Sequence, residues 1–454
     1  MFAAGIAIMA GVPVARAQSV DSAYAFDNLP PDARFKTDIL LVVAHPDDET
    51  LVASFLAREI EDHHKRVAVV FATHGSAGGD SVGPEQGDAL GDIREIEARA
   101  SLASVGVTHV WFLTGKDTPG QNPLQSLGAW GHGECLDRLV SLVRLTRPTV
   151  ILTWLPDFVT GENHGDHQAT GILATEAFDL AGDPAAFSEQ VAPARDGAYN
   201  PTHTDGLRPW QPEKLYFFDN SYDPLGKGWG PAYSSTEISP SRHISYGMIA
   251  AQAFTYHQTQ GGHDVAALIK NGTLGSAQYP QSFLAPVQLI LGKSLVKASV
   301  TGDVFAGIAP EGIPDEPPIE TGAPVARDAV LRIGDPWAFY HLFWRAHGLD
   351  RLRNLVPVEI SVQVGGILRI PLIVENPGER ALDINFSVQA PSGWKVQAVQ
   401  TVHAGADSRQ YLEVVAVAPG KKIAGWQVIV VSGETAGRNI GTVSVHAELG
   451  TGAF

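Results

Sequence analysis

The chain has 454 residues, 44% of them hydrophobic, which is enough for two or three domains with real cores. Its formal net charge of −17 excludes nucleic acid and anionic membrane as default partners, because both need a basic surface. The single cysteine, Cys135, excludes an intrachain disulfide and any Cys-rich zinc site, so His and carboxylates are left to bind a metal.

The apolar stretch Phe2 to Val14, followed by Ala15-Arg16-Ala17, reads as a signal peptide over residues 1–18, although no Lys or Arg precedes it. The other reading is a frayed apolar arm. No later stretch approaches the ~20 apolar residues of a membrane span. The expectation is a secreted or periplasmic protein with no stable membrane insertion after signal removal.

DILLVVA at 38–44 is the continuous apolar run of a strand buried on both faces of a parallel sheet. An amphipathic helix follows, with Leu51, Phe55, Leu56 and Ile60 on its apolar side. Strands at Val67 to Ala72, His109 to Leu113 and Thr149 to Thr153 then alternate with helices at Ile93 to Val105 and Leu136 to Leu145. This rhythm predicts an α/β, Rossmann-like, doubly wound and mostly parallel sheet. Lys214 to Phe218 reads as a further strand; the Gly-, Pro- and aromatic-rich chain beyond it has no clear period. Residues 308–326 read as an exposed Pro-rich loop or linker. From Val358 onward, apolar residues alternate, as at Leu382, Ile384, Phe386 and Val388, with turns at Asn376-Pro377-Gly378 and Pro391-Ser392-Gly393. That pattern predicts a smaller all-β sandwich over 355–454, after an α/β domain over 36–350.

Two clusters carry chemistry. His45-Pro46-Asp47-Asp48-Glu49 closes the first strand, and Asn163-His164-Gly165-Asp166-His167-Gln168 follows the strand ending near Trp154. In a parallel sheet both strand ends open on the edge where ligands bind. Zinc takes His and carboxylate ligands with a position left for water, and His45 and Asp48 have that chemistry. Singly each signal has an ordinary structural reading: HxxH arises by chance, and acids at a helix start complement its dipole. Gly75 to Gly79 lacks the Lys-Ser/Thr of a phosphate loop and reads as a flexible active-site loop. Tyr256, Trp229, Trp337, Phe339, Tyr340 and Trp344 suit core packing better than sugar stacking, as do Trp394 and Trp426.

The words A-H-P-D-D-E at 44–49, T-x-G at 73–75, R-x-x-E at 94–97 and H-G-D-H-Q-A at 164–169 resemble the LmbE-like, or PIG-L, zinc deacetylases over residues 38–180. H-Q-T-Q at 257–260 is a weaker element of the same likeness. The resemblance implies hydrolysis of an acetamido group on an N-acetylglucosamine-like sugar, glycoconjugate or cell-wall fragment. It also implies zinc on His45, Asp48 and His167, with iron(II) or cobalt(II) accepting the same donors. Asp47 would be the general base and His164, as a protonated imidazole, the oxyanion stabiliser. Arg94 would touch substrate or pair with Glu95 and Glu97 on its own helix; His257 would touch substrate, and Asp166 would orient a ligand imidazole or face solvent. Ala53-Ser54 replaces the family's Gly-Gly pair, and Ser76 replaces an acid, which bears on the pocket wall. The β domain resembles NEW3-type immunoglobulin-like modules. A zinc amidase on a larger N-acyl or peptide-like conjugate uses the same site; a non-catalytic carbohydrate-binding protein would have no use for Asp47.

Overall fold

The computed structural model describes residues 33–158, 164–192, 206–220, 225–275, 283–309, 328–334, 336–352, 355–397 and 401–450. The expected signal peptide lies outside the described residues, as does the expected linker apart from its first two positions.

The main sheet grows from largely apolar runs, buried on both faces except along its His109–Gly115 edge. Strands β1 (Ile39–Val43), β2 (Val67–Thr73), β3 (His109–Gly115), β4 (Val150–Trp154) and β5 (Lys214–Phe218) lie parallel in the order β3-β2-β1-β4-β5. A small ribbon pairs β6 (Ala232–Tyr233) with β7 (Val287–Gln288), and β8 (Ile290–Ser294) joins β5 antiparallel. Alternate residues of β1 serve two cores. Ile39, Leu41 and Val43 pack with α1 (Ala53–Glu61) and α2 (Asp88–Ser104). Leu40 and Val42 belong to the core of α3 (Pro123–Trp130), α4 (His132–Thr146) and α5 (Gly165–Leu180). Each fully buried aliphatic side chain contributes about 1.5–3 kcal/mol, which is why β1 admits no polar residue. The strand order reverses between β1 and β4, so the loops leaving them border one crevice.

A short helix α6 (Ser188–Val191) precedes β5, and the stretch without clear periodicity beyond β5 contains α7 (Tyr246–Phe254) and α8 (Gly262–Lys270). Beyond it lie β9 (Val330–Ile333) and α9 (Pro336–Ala346), then β10 (Val358–Gln363), β11 (Ile367–Asn376), β12 (Leu382–Gln389), β13 (Lys395–Val396), β14 (Val402–Ala404), β15 (Ser408–Val417), β16 (Gln427–Thr435) and β17 (Arg438–Gly450). These strands form a sheet β10-β17-β16-β12-β14 and a sheet β13-β15-β11-β9 around a common apolar core.

Two expectations change. Residues 330–333 were assigned to the α/β domain, but Leu331 and Ile333 are buried in the β core, and β9 pairs antiparallel with Leu372 to Glu375. The chain then returns: Tyr340, Phe343 and Trp344 of α9 pack into the α/β core. Trp394 is buried as expected, whereas Trp426 is 46% exposed beside the His446 ring. It follows Gly425, just outside β16, where alternation no longer dictates burial. Among the described residues no helix is long and apolar enough to cross a membrane.

Candidate metal centre

The first cluster is built by the turn out of β1. Asp48 opens a short 3-10 helix, Asp48–Leu51, and its carboxylate folds back over the strand end. Oδ2 accepts from the backbone N–H of Ala44 at 2.9 Å and of His45 at 3.0 Å, and from Trp154 Nε1 at 2.8 Å. With Oδ2 so engaged, Oδ1 lies 3.6 Å from His45 Nδ1 and 3.2 Å from His167 Nε2. The two imidazole nitrogens are themselves 3.2 Å apart.

These separations test whether the donors fit a metal. Tetrahedral zinc with ligands at about 2.0–2.1 Å has ligand–ligand edges of about 3.3–3.4 Å, close to what the three atoms show. Charge agrees. Among the described residues the cationic partners of Asp48, Asp117 and Asp166 are imidazoles, so neutral rings would leave a buried excess of negative charge. Burial opposes ionisation of Asp48, but the rings of His167 and His45 hold its carboxyl well below the usual range. Burial also opposes charge on His45, yet Asp48, Asp117 and Asp166 raise its pKa well above the ordinary value. His45, His164 and His167 also bring one nitrogen each within 4.8 Å of one another. His164 is the half-buried member, placed to border the coordination site rather than complete its floor.

The outer partners of His45 come from elsewhere in the sheet. Its Nε2 lies 3.4 Å from Asp166 Oδ2 and 3.2 Å from Asp117 Oδ1. Asp166 is fully buried and accepts from Thr118 Oγ1 at 2.6 Å and Thr118 N at 2.8 Å, so it faces inward rather than to solvent. Asp117, which sequence reasoning missed, also accepts from Ala77 N at 2.8 Å and thereby ties the Gly-rich segment to the site.

Asp47 adopts φ 144°, a strained conformation for a residue with a side chain. Its N–H donates to Glu49 Oε2 at 3.0 Å, and Glu49 Oε1 accepts from His257 Nε2 at 2.7 Å. His257 is therefore not a substrate contact: it is completely buried and braces the turn through Glu49. The rest of H-Q-T-Q braces too, since Glu97 accepts from Thr259 N at 2.9 Å and Thr259 Oγ1 at 2.6 Å. Arg94 pairs with neither Glu95 nor Glu97. Its Nη2 lies 3.0 Å from Asp47 Oδ1 and 2.9 Å from Pro46 O, and its Nη1 donates to Gly75 O at 2.9 Å. A Cβ at Gly75, where φ is 69°, would sit 2.5 Å from Nη1. The Gly-rich segment thus makes room for Arg94, and with Ala77 and Gly79 hydrogen-bonded it is tethered rather than free. Burial raises the Asp47 pKa, with Arg94 working against it.

Burial, then the neighbouring His167 and His45, push His164 down to about 4. This favours an uncharged ring that donates an N–H over the protonated ring expected from the sequence. Ser54, where the resemblance leads one to expect glycine, is buried and bonded to Ser235 Oγ at 2.7 Å, so the serine serves packing.

Comparison with known proteins bears on residues 40–178, which match the family described as PIG-L, GlcNAc-PI de-N-acetylase. The 1D-myo-inositol 2-acetamido-2-deoxy-alpha-D-glucopyranoside deacetylase of Streptomyces avermitilis is 33% identical over 178 residues, 36% of this chain and 58% of that protein. The protein of the same description from Thermobifida fusca is 28% identical over 194 residues, 39% of this chain and 60% of its own length. The chain thus spans somewhat more than half the length of these relatives. Among solved structures, N,N'-diacetylchitobiose deacetylase from Pyrococcus horikoshii is 18% identical, with 60% of this chain and 87% of that one covered at a TM-score of 0.39, a likeness on which no argument rests.

Proposed function

We propose, from the match of residues 40–178 to the PIG-L family, that this protein is a metal-dependent N-deacetylase. It removes acetate from an N-acetylglucosamine-like sugar, a glycoconjugate or a cell-wall fragment and leaves a free amine. The observation that carries this reading is the juxtaposition of a three-donor metal set with a carboxylate, Asp47, that belongs to no ligand and is held by Arg94. A site built only to bind sugar needs no such base.

His45 Nδ1, Asp48 Oδ1 and His167 Nε2 would hold the ion; the tetrahedral spacing favours zinc, while iron(II) and cobalt(II) accept the same donors. When bound, the ion supplies Lewis-acid chemistry, polarising the amide carbonyl and making water acidic enough to react near neutral pH. Asp47 takes the proton from the attacking water at its free carboxylate oxygen and returns it to the departing nitrogen. Arg94 favours the ionised form of Asp47, against the larger pull of burial. His164 donates an N–H to the carbonyl oxygen as negative charge develops there, worth about 3–4 kcal/mol in comparable sites. We further propose that the protein works outside the cytoplasm, on the ground of the apolar stretch before Ala15-Arg16-Ala17.

The test is acetate release from N-acetylglucosamine, its short oligomers and N-acetylglucosaminyl-inositol conjugates, with metal content determined before and after chelation. Acetate release that chelation abolishes and zinc restores supports the reading. Bound metal without acetate from any of these sugars overturns the substrate class, and a chain that binds no divalent metal overturns the site.

A further inference from the structure

We infer that Trp154 is a positioning residue of the metal centre, a clamp that ties the ligand from one loop to the ligand from the other. The inference rests on the ligand set proposed above. Trp154 ends β4, is 1% exposed, and has a definite contact with each of two ligands. Its Nε1–H donates to Asp48 Oδ2 at 2.8 Å, and its ring lies flat on that of His167, with centroids 3.9 Å apart and planes 9° from parallel.

The packing of the fold makes this contact unavoidable. A Cβ at Gly171 would fall 2.3 Å from the carbonyl oxygen of Trp154, so α5 presses directly on the end of β4. His167 sits one turn earlier on that helix and is laid over the indole. The other two donors to Asp48 Oδ2, the N–H groups of Ala44 and His45, belong to the same turn as Asp48 and move with it. The indole is the donor that comes from across the crevice. It is also neutral, so it fixes the carboxylate without competing with a cation for its charge, as Lys or Arg would. With the indole N–H removed, Asp48 keeps only the donors of its own turn, nothing ties it to the His167 side, and the donor spacing loosens.

Trp154→Phe keeps an aromatic face on His167 and deletes the N–H. We expect its zinc affinity, measured by chelator competition, to fall on the order of tenfold. The absorption bands of the cobalt(II)-loaded variant should shift, an effect beyond the modest fall in metal-free melting temperature that a smaller buried ring and one lost hydrogen bond bring. An unchanged zinc Kd and an unchanged cobalt spectrum overturn the clamp. If Trp154→Phe fails to fold, wild type labelled with 5-fluorotryptophan carries the test, since each of its nine indoles gives a fluorine signal. Cobalt(II) must then displace one signal far more than the rest, and nine undisplaced signals with metal bound overturn the proposal. Wild type that binds no metal removes the ligand set itself, an outcome distinct from a metal site indifferent to Trp154.

Discussion

In the α/β lobe the buried polar residues include His45, Asp48, Glu49, Arg94, Glu97, Asp157, Asp166, His167 and His257. In the β lobe, among the described residues, they are Arg332, Asn376 and Thr435. The β lobe closes on aliphatic side chains such as Ile370, Val414, Ile429 and Val445, in strands whose outer faces are polar. Buried ionisable groups are costly unless paired, and the α/β lobe tolerates them where two loops meet at the crevice. The same lobe holds the backbone strain at Asp47. The α/β lobe also buries Glu59, Arg144 and Lys214 away from the crevice, each with hydrogen-bond partners. At the crevice several such groups gather around a strained residue, and that clustering is what carries chemical capability.

The sharpest way to break this comparison is at Asp47. Asp47→Asn should lower kcat by on the order of 10²–10⁴-fold, with zinc content by atomic absorption unchanged. A comparable loss of metal would instead make Asp47 a structural member of the site. The converse test lies in the β lobe, where Ile429→Ala removes a fully buried side chain. It should cost about 2–5 kcal/mol in denaturant unfolding and leave kcat of the folded fraction unaltered.

Asp157 sharpens the comparison through pH. Burial raises its pKa from 3.8 to about 7. Between these values the folded chain keeps a proton that the unfolded chain has released, so this group's contribution falls as pH rises through that window. Above it the deficit is complete and on the order of 2–4 kcal/mol. Asp157→Asn keeps the oxygen that accepts from Phe158 N, and thermal melts should show it stabilising at pH 8, less so at pH 5, with little effect near pH 3.5. The smallest effect belongs to Trp426→Ala on the outer face of the β lobe: within about 0.5 kcal/mol in stability, with the proposed deacetylation of a soluble sugar unchanged.

Much of this was legible in the chain itself. Strands β1, β2, β4 and β5 are continuous apolar runs, and burial on both faces demands nothing subtler. The two loop clusters were legible because several rare residue types stand together. Asp117 and Trp154 were not, because each is a single letter whose partner lies dozens of positions away and meets it only once the sheet has formed. Helix α5 has nearly all of its residues buried, which erases the period by which an amphipathic helix is recognised. His257 looked like a contact residue because its neighbours resembled a motif; its complete burial and its bond to Glu49 give that motif a bracing role. Strand β9 has only four residues and follows a Pro-rich stretch, too short a signal to outweigh its position.

The route of the chain through β9 and α9 bears on how such a protein can change over evolutionary time. An appended module joined by one linker is exchanged by a single recombination event. Here a strand of the β lobe precedes a helix of the α/β lobe, so a cut after α9 strands Leu331 and Ile333 without their core, and a cut before β9 removes Tyr340 and Trp344 from theirs. Tyr340 also donates to Gln168, the residue after His167. Neither lobe is a cassette, and substitutions on the two sides of this seam should be inherited as a set.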